Sequence, residues 1–182
     1  LIDTIESQDV VTFTGSASTG RMLKAHPRII SESVPFNMEA DSLNCSILGP
    51  DAIPGTAEFD LFVKEVVREM TVKAGQKCTA IRRIIVPEHL SNDVIKAVGS
   101  KLGTTKVGDP SVEGVRMGPL AGKDQVGEVR ARLKELLTCC EIAAGNPEQY
   151  ELVGADRDKG SFMPPVLLHC ADGFKNDAPH DI

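Results

Sequence analysis

The stretch Val10-Val11-Thr12-Phe13-Thr14-Gly15-Ser16-Ala17-Ser18-Thr19-Gly20 carries the clearest fold signal in this sequence. Its first five residues are mostly β-branched, which predicts a buried strand. The Gly15-Ser16 pair that follows predicts a tight turn. Ser18 is then the expected N-cap of a helix that continues to about His26. A strand that enters a helix through a short turn is typical of α/β folds.

Predicted strands and helices alternate along the rest of the chain. Apolar residues from Phe59 to Met70 recur at helical spacing, which predicts a helix with Thr56 as N-cap that ends near Gly75. A second predicted helix begins at Ser91. A third covers residues 123–138, with Val126, Val129, Leu133, Leu136 and Leu137 buried. The other predicted extended segments are residues 29–30, 33–36, 44–48, 81–86, 141–144 and 162–168. Because parallel strands need helical crossovers, this alternation predicts a parallel α/β architecture.

Composition limits the classes of function. The 182 residues include 20 basic and 26 acidic side chains, a formal charge of −6, which argues against nucleic-acid binding. The sequence contains neither a long apolar segment nor a polybasic run, so we predict no contact with a membrane. The five cysteines are odd in number and form no C-x-x-C motif, so we expect no disulfide framework and a reducing, cytoplasmic location. The four histidines are far apart, and no metal site is predicted.

Three local features could carry chemistry. Cys78 lies in an irregular turn near Lys73 and Lys77, whose charges would favour the thiolate, although a free cysteine is more often a small buried core residue. Glu39 ends a predicted strand, where its carboxylate could be a general base or only a solvated charge. The turn over residues 14–20 could offer a phosphate its backbone N–H groups, or it could be a plain strand-to-helix turn.

Together these features resemble the aldehyde dehydrogenase superfamily. The matching motifs are F-T-G-S-x-x-x-G at residues 13–20, the strand-end acid Glu39 and G-Q-x-C at residues 75–78. Weaker matches are Gly108-Asp109-Pro110, Met117-Gly118-Pro119-Leu120 and Pro164-Pro165-Val166-Leu167.

One branch of the superfamily is more similar than the others. The stretches that indicate it are Met38-Glu39-Ala40-Asp41-Ser42-Leu43-Asn44 and Arg68-Glu69-Met70-Thr71. Both resemble the semialdehyde dehydrogenase domain of bifunctional ring-opening enzymes of phenylacetate catabolism, which also carry a hydratase-like domain. Semialdehyde dehydrogenases of aerobic benzoate catabolism are similar too, so both pathways stay open.

The resemblance implies roles for individual residues. Cys78 would attack the aldehyde, hold the thiohemiacetal oxyanion partly with its own backbone N–H, and carry a thioester after hydride transfer. Glu39 would activate the water that releases the acid. Gly15 and Ser16 would contact the cofactor pyrophosphate, and Gly20 would allow close helix packing. The branch suggests NADP rather than NAD, and a substrate aldehyde linked to CoA.

The resemblance also implies an architecture. We expect the three-layer parallel α/β fold of aldehyde dehydrogenases, with residues 1–39 as the C-terminal part of the NAD(P)-binding domain and residues 40–182 as a catalytic domain truncated at its C-terminus. Three of the family's functional side chains would lie before Leu1 or after Ile182. We therefore expect the 182-residue chain alone to be inactive, and its full-length parent to form a homo-oligomer.

Two other functions stay open at this point. A CoA-acylating aldehyde dehydrogenase would pass the acyl group to CoA instead of water, but such enzymes generally lack the strand-end base, so Glu39 argues against this function. A catalytically dead scaffold or interaction module is disfavoured because both Glu39 and Cys78 stand in good motif context. Asp41 and Asn44 could shape the CoA side of the pocket.

Overall fold

The computed structural model describes residues 1–171 and residue 173. The chain separates into two compact units, and the boundary between them falls between Ser42 and Leu43. In the part of the chain that is described, no helix combines the length and the apolar character that crossing a membrane requires.

The first unit is a short β-α-α-β segment. Its elements are β1 (Val11–Gly15), α1 (Ala17–Lys24), α2 (Pro27–Ser31) and β2 (Phe36–Ala40), preceded by a 3-10 turn at Ile2–Thr4. The two strands pair in parallel, with Thr14 opposite Glu39 and Gly15 opposite Ala40. The predicted strand at the start of the chain and the parallel arrangement are therefore confirmed for this unit.

Two details of the first unit differ from the sequence prediction. Ser16, not Ser18, caps α1, since its Oγ accepts a hydrogen bond from the N–H of Thr19. The predicted extended residues 29–30 are helical, because Pro27 occupies the first position of α2, where its missing N–H is not needed. Ile29 then becomes one of the few buried side chains of this unit.

The second unit contains most of the regular structure. Its elements are β3 (Cys45–Ile47), α3 (Ala57–Thr71), β4 (Arg83–Ile85), α4 (Ser91–Gly103), β5 (Val107–Gly108), α5 (Lys123–Leu136), β6 (Glu141–Ala144), β7 (Leu152–Val153) and β8 (Leu167–His169), with 3-10 turns at Val72–Gly75 and Glu88–Leu90. The pairs β3–β4 and β5–β7 are parallel, whereas β6–β8 is antiparallel. The unit is thus α/β, with one antiparallel pair that the alternation of elements did not indicate.

The main core of the second unit lies between α3 and α4. Its most buried side chains are Val63, Val66, Val94 and Val98. As predicted, Thr56 caps α3, because its Oγ1 accepts a hydrogen bond from the Phe59 N–H at 3.3 Å. The helix ends at Thr71, earlier than predicted.

Two predictions for the later helices are wrong. Ser91 does not cap α4: it is the first residue of the helix, and its Oγ lies 3.3 Å from Nε2 of His169 in β8. No residue of α5 is buried, and Leu137, predicted as a core position, is 42% exposed. Val126 and Val129 are only half-buried, since they pack against the smaller second core on one side of the helix.

Candidate active site

Cys78 lies in the loop between α3 and β4, residues 72–82, which we name the cysteine loop. The backbone turns sharply here, because Lys73, Ala74 and Gly75 all have positive φ, at 52°, 53° and 72°. The Cys78 side chain is exposed. The interpretation of Cys78 as a buried core residue is therefore wrong, since the loop carries it to the surface of its unit.

Gln76, two residues before Cys78, ties the cysteine loop to a second loop. Its side-chain Nε2 donates to the carbonyl oxygens of Lys73 at 2.9 Å and Pro119 at 3.3 Å. Its Oε1 accepts a hydrogen bond from the Ala121 N–H at 2.8 Å. The glutamine of the G-Q-x-C motif thus connects the loop to the end of the Met117-Gly118-Pro119-Leu120 match.

Lys77 forms an ion pair with a buried carboxylate. Its Nζ lies 2.7 Å and 2.8 Å from the two oxygens of Glu69, whose side chain is only 8% exposed. This hydrogen bond is the largest effect on the pKa of Glu69 and lowers it from the ordinary value, against the opposing effect of burial. Lys77, one of the two lysines expected to act on the Cys78 thiol, therefore has its ammonium paired with Glu69.

The backbone around Cys78 is fixed through its carbonyl groups. Nδ2 of Asn44 donates to the Cys78 oxygen at 2.6 Å and to the Ala80 oxygen at 3.1 Å. The Lys77 oxygen accepts a hydrogen bond from the Ala80 N–H at 3.2 Å. Within the described residues the Cys78 N–H donates to no acceptor. Cys78 therefore combines an exposed thiol with a backbone N–H that has no acceptor in the described part of the chain. Such an N–H is one of the donors that can stabilise an oxyanion.

Glu39 lies near the end of β2 in the first unit and is exposed. Across the residues that the structure describes, its carboxylate forms no hydrogen bond or ion pair. The strand ends at Ala40, and the next residue, Asp41, adopts a positive φ of 57° and donates its N–H to the Gly15 oxygen at 3.1 Å. The carboxylate is thus free to accept a proton from water, as a general base must.

The turn after β1 presents hydroxyl groups at the N-terminus of α1. The Ser16 Oγ lies 3.2 Å from the Ser18 Oγ and 2.9 Å from the Thr19 Oγ1. Gly20 is buried, and a Cβ there would come within 3.0 Å of the Met38 Cγ and 3.2 Å of the Phe13 ring. This glycine is therefore what lets α1 lie close against the strand pair.

A carboxylate already occupies part of this helix end. Oδ1 of Asp41 accepts a hydrogen bond from the Ala17 N–H, the first of α1, at 2.9 Å. Three hydroxyls and a helix N-terminus suit the phosphates of a dinucleotide, whereas a negative charge at the same end opposes them. The donors of this turn suit phosphate groups, and the Asp41 carboxylate at the same helix end opposes them.

The structure groups the residues selected from the sequence by unit. Gly15, Ser16, Gly20 and Glu39 all belong to the first unit and surround one end of the β1–β2 pair. Cys78 belongs to the second. Among described residues, no three Cys, His, Asp or Glu side chains converge as ligands for a metal ion.

Two contacts of these segments were not found from the sequence. Asn44 bonds the cysteine loop, but it precedes Cys78 by 34 residues, and no local pattern connects them. Asp41 accepts a hydrogen bond from the first N–H of α1, 24 residues before it along the chain. The sequence suggests for both residues only that they could shape the CoA side of the pocket.

The sequence profile of the aldehyde dehydrogenase family matches residues 4–176, nearly the whole chain. The chain belongs to the aldehyde dehydrogenase family. It is 50% identical over its full length to a 3,4-dehydroadipyl-CoA semialdehyde dehydrogenase of Aromatoleum evansii. The chain spans about a third of the length of that relative, 35%.

Solved structures of other aldehyde dehydrogenases share this fold. Betaine aldehyde dehydrogenase from Staphylococcus aureus, in complex with NAD+, is 22% identical, with a TM-score of 0.75 over 88% of this chain and 30% of its own. A mutant of aldehyde dehydrogenase C from Pseudomonas syringae, with NAD+ and octanal, is 24% identical, with a TM-score of 0.77 over 95% of this chain and 34% of its own. The predicted aldehyde-dehydrogenase-like α/β fold is thereby confirmed.

The other cysteines of this chain differ from Cys78 in their surroundings. The Sγ atoms of Cys139 and Cys140 lie 3.7 Å apart, and both residues are half-buried. Burial, with smaller contributions from Cys139 and Cys170, raises the pKa of Cys140 to about 12. A thiol with that pKa supplies almost no thiolate at neutral pH. Cys45 is exposed, but it lies in β3 and is not in the G-Q-x-C motif.

Proposed function

We propose that this chain carries the nucleophile and the base of an NAD(P)-dependent dehydrogenase that oxidises a CoA-linked semialdehyde to the acid. The observation that carries the proposal is the state of Cys78: an exposed thiol with an unused backbone N–H, in a loop that Asn44, Gln76 and Lys77 tie to the rest of its unit. Membership of the family supplies the reaction class.

The substrate class comes from the relative in Aromatoleum evansii. That protein is a 3,4-dehydroadipyl-CoA semialdehyde dehydrogenase, and half of its residues over the matched length are identical to those of this chain. We therefore propose 3,4-dehydroadipyl-CoA semialdehyde, or a CoA-linked semialdehyde of similar length, as substrate. We further predict that phenylacetate degradation supplies this substrate.

The proposed mechanism assigns each step to residues of this chain. The Cys78 thiolate forms a bond to the aldehyde carbon, and its own N–H stabilises the resulting oxyanion. A bound nicotinamide supplies the acceptor for the hydride that leaves this carbon. Glu39 then takes a proton from the water that attacks the Cys78 thioester, and the acid leaves as the C–S bond breaks.

We propose that Gly15 and Ser16 contact the cofactor pyrophosphate and that Gly20 keeps α1 close enough to do so. Residues 1–39 would belong to the cofactor-binding domain and residues 40–182 to the catalytic domain. NADP is proposed as the preferred cofactor because the most similar branch suggests it. Since the chain spans 35% of its relative, we expect activity, and a homo-oligomer, only in the full-length polypeptide.

The test follows NAD(P)H formation by the full-length polypeptide with 3,4-dehydroadipyl-CoA semialdehyde, in the presence of NAD or NADP. The matched substrate is the same semialdehyde without CoA, and the Cys78→Ala variant gives the background. We expect reduction of NADP with the CoA-linked substrate and release of the free acid. If a new CoA thioester forms, the enzyme is acylating, and if no aldehyde is oxidised, the chain is a scaffold. Either result refutes the proposal.

A further inference from the structure

Asn44 makes four hydrogen bonds to the cysteine loop and the start of β4. Its side-chain Nδ2 donates to the carbonyl oxygens of Cys78 and Ala80, at 2.6 Å and 3.1 Å. Its backbone oxygen accepts from the N–H groups of Arg82 and Arg83, at 2.9 Å and 3.2 Å. Asn44, directly before β3, is therefore hydrogen-bonded to the backbone at several points between Cys78 and β4.

The side chain of Asn44 is chemically specific for this position. Both of its partners are carbonyl oxygens, so the group that faces them must be a donor with two N–H bonds. The Ala80 residue is only 1% exposed, so water cannot easily replace a lost donor there. A carboxylate of the same shape would instead place its oxygens against two carbonyl oxygens.

The contact acts on the backbone of Cys78 itself. The carbonyl that follows the Cys78 Cα is held by Asn44, and the carbonyl that precedes it, on Lys77, is held by the Ala80 N–H. Both peptide groups that flank Cys78 are thus fixed through their oxygens. What stays unbonded, within the described part of the chain, is the Cys78 N–H.

We propose that Asn44 is a positioning residue for the nucleophile. It fixes the Cys78 backbone so that the thiol and the N–H keep the relative placement that attack on the aldehyde requires. Gln76 and Lys77 restrain the loop before Cys78, whereas Asn44 is the side chain that bonds Cys78 directly among described residues. The inference rests on the proposed role of Cys78 as nucleophile.

Three variants of the full-length enzyme test the inference. Asn44→Ser keeps one donor, Asn44→Ala keeps none, and Asn44→Asp adds repulsion. Small errors in the position of a reacting group can cost about 100-fold in rate, so we expect kcat to fall about 10- to 100-fold, increasingly in that order. The aldehyde KM should stay within about threefold, since both side-chain hydrogen bonds that Asn44 donates go to backbone carbonyl oxygens of the cysteine loop. The control Asn92→Asp makes the same charge change at an exposed site in the first turn of α4 and should leave kcat unchanged.

Hydrogen–deuterium exchange across residues 76–84 measures how well the loop is held, independently of activity. Asn44→Ser is the mildest change, so it still tests the inference if Asn44→Ala or Asn44→Asp does not fold. Faster exchange with lower kcat and unchanged KM in the Asn44 variants supports the inference. Unchanged exchange, unchanged kcat, or an equal loss in Asn92→Asp overturns it. A wild-type enzyme that oxidises no aldehyde refutes the proposed function itself, and with it the catalytic role of this contact.

Discussion

The cysteine loop and the end of β2 restrain their candidate catalytic side chains to different extents. Around Cys78, side-chain bonds from Asn44 and from the Lys77–Glu69 pair hold the backbone from separate elements. Glu39 is in a strand ladder, but its carboxylate, as far as the structure describes the chain, contacts no partner. The loop fixes its residue, whereas the strand end leaves its side chain free.

This difference matches two different chemical demands. A nucleophile must meet the carbonyl carbon at short range and in the right direction, so small displacements are costly. A general base acts through a water molecule and tolerates more freedom. We therefore expect changes at the cysteine loop to affect formation of the acyl-enzyme, and changes at Glu39 to affect its hydrolysis.

The largest effect is expected from Cys78→Ala. Loss of the nucleophile should reduce turnover on the order of 10⁴-fold and abolish the first burst of NAD(P)H, because no covalent intermediate forms. Stopped-flow absorbance of the full-length enzyme measures both quantities. The control is Cys45→Ala, which removes another exposed thiol and should leave both unchanged. A full burst in Cys78→Ala would show that another residue is the nucleophile.

Glu39→Gln should separate the two steps. We expect turnover to fall about 10²- to 10³-fold while the burst of NAD(P)H persists, since only the activation of water is lost. Rapid mixing followed by steady-state recording gives both rates in one trace. The exposed Glu6 of the same unit provides the control, as Glu6→Gln. If burst and turnover fall together, the proposed division of labour is wrong.

Glu69→Gln tests the anchor of the cysteine loop through its pH dependence. The folded pKa of Glu69 is lowered, so its stabilising effect is present above the unfolded value, near 4.5, and is lost as pH falls through the folded value. We expect the variant to melt a few °C lower at pH 7. The difference should shrink below pH 4.5, which calorimetry against pH measures.

The matched control for this variant is Glu65→Gln. Glu65 pairs with Arg68 at 2.9 Å but is more exposed than Glu69, with 32% of its side chain accessible. Its removal should therefore change the melting temperature less. A pH-independent difference for Glu69→Gln would mean that packing, not the ion pair, stabilises the loop.

The smallest effect is expected from Asp41→Asn, in the first unit, just after the strand that carries Glu39. Asparagine keeps an oxygen for the Ala17 N–H but removes the negative charge from the N-terminus of α1. We expect the KM for NADP to fall about two- to fivefold, more at low salt. Asp9→Asn, which also keeps a bond to a backbone N–H, at Glu6, is the control. A higher KM would mean that Asp41 helps to hold the cofactor.

Local patterns predicted the fold best where one segment decides its own structure. The apolar spacing and Thr56 gave α3 its start, and the β-branched residues before Gly15 gave β1 its place. The patterns failed where a neighbour decides, as with Pro27, which starts a helix through two isoleucines, and with α5, whose burial depends on packing partners.

The site follows the same division. The motifs placed Cys78 and Glu39 as candidates, and their catalytic roles stay predictions. The Asn44 contact could not be predicted, because 34 residues and a helix separate it from Cys78 along the chain. Only the folded unit brings a donor to those two carbonyl groups.

The run of positive φ at Lys73, Ala74 and Gly75 limits how this sequence can vary. Left-handed backbone excludes β-branched side chains almost completely and favours glycine, asparagine and aspartate. Valine, isoleucine and threonine are therefore barred from positions 73 and 74 by geometry, whatever their effect on catalysis. The constraint around the nucleophile is therefore longer than G-Q-x-C. It begins two residues earlier, at positions where the backbone conformation, and not one particular residue type, is required.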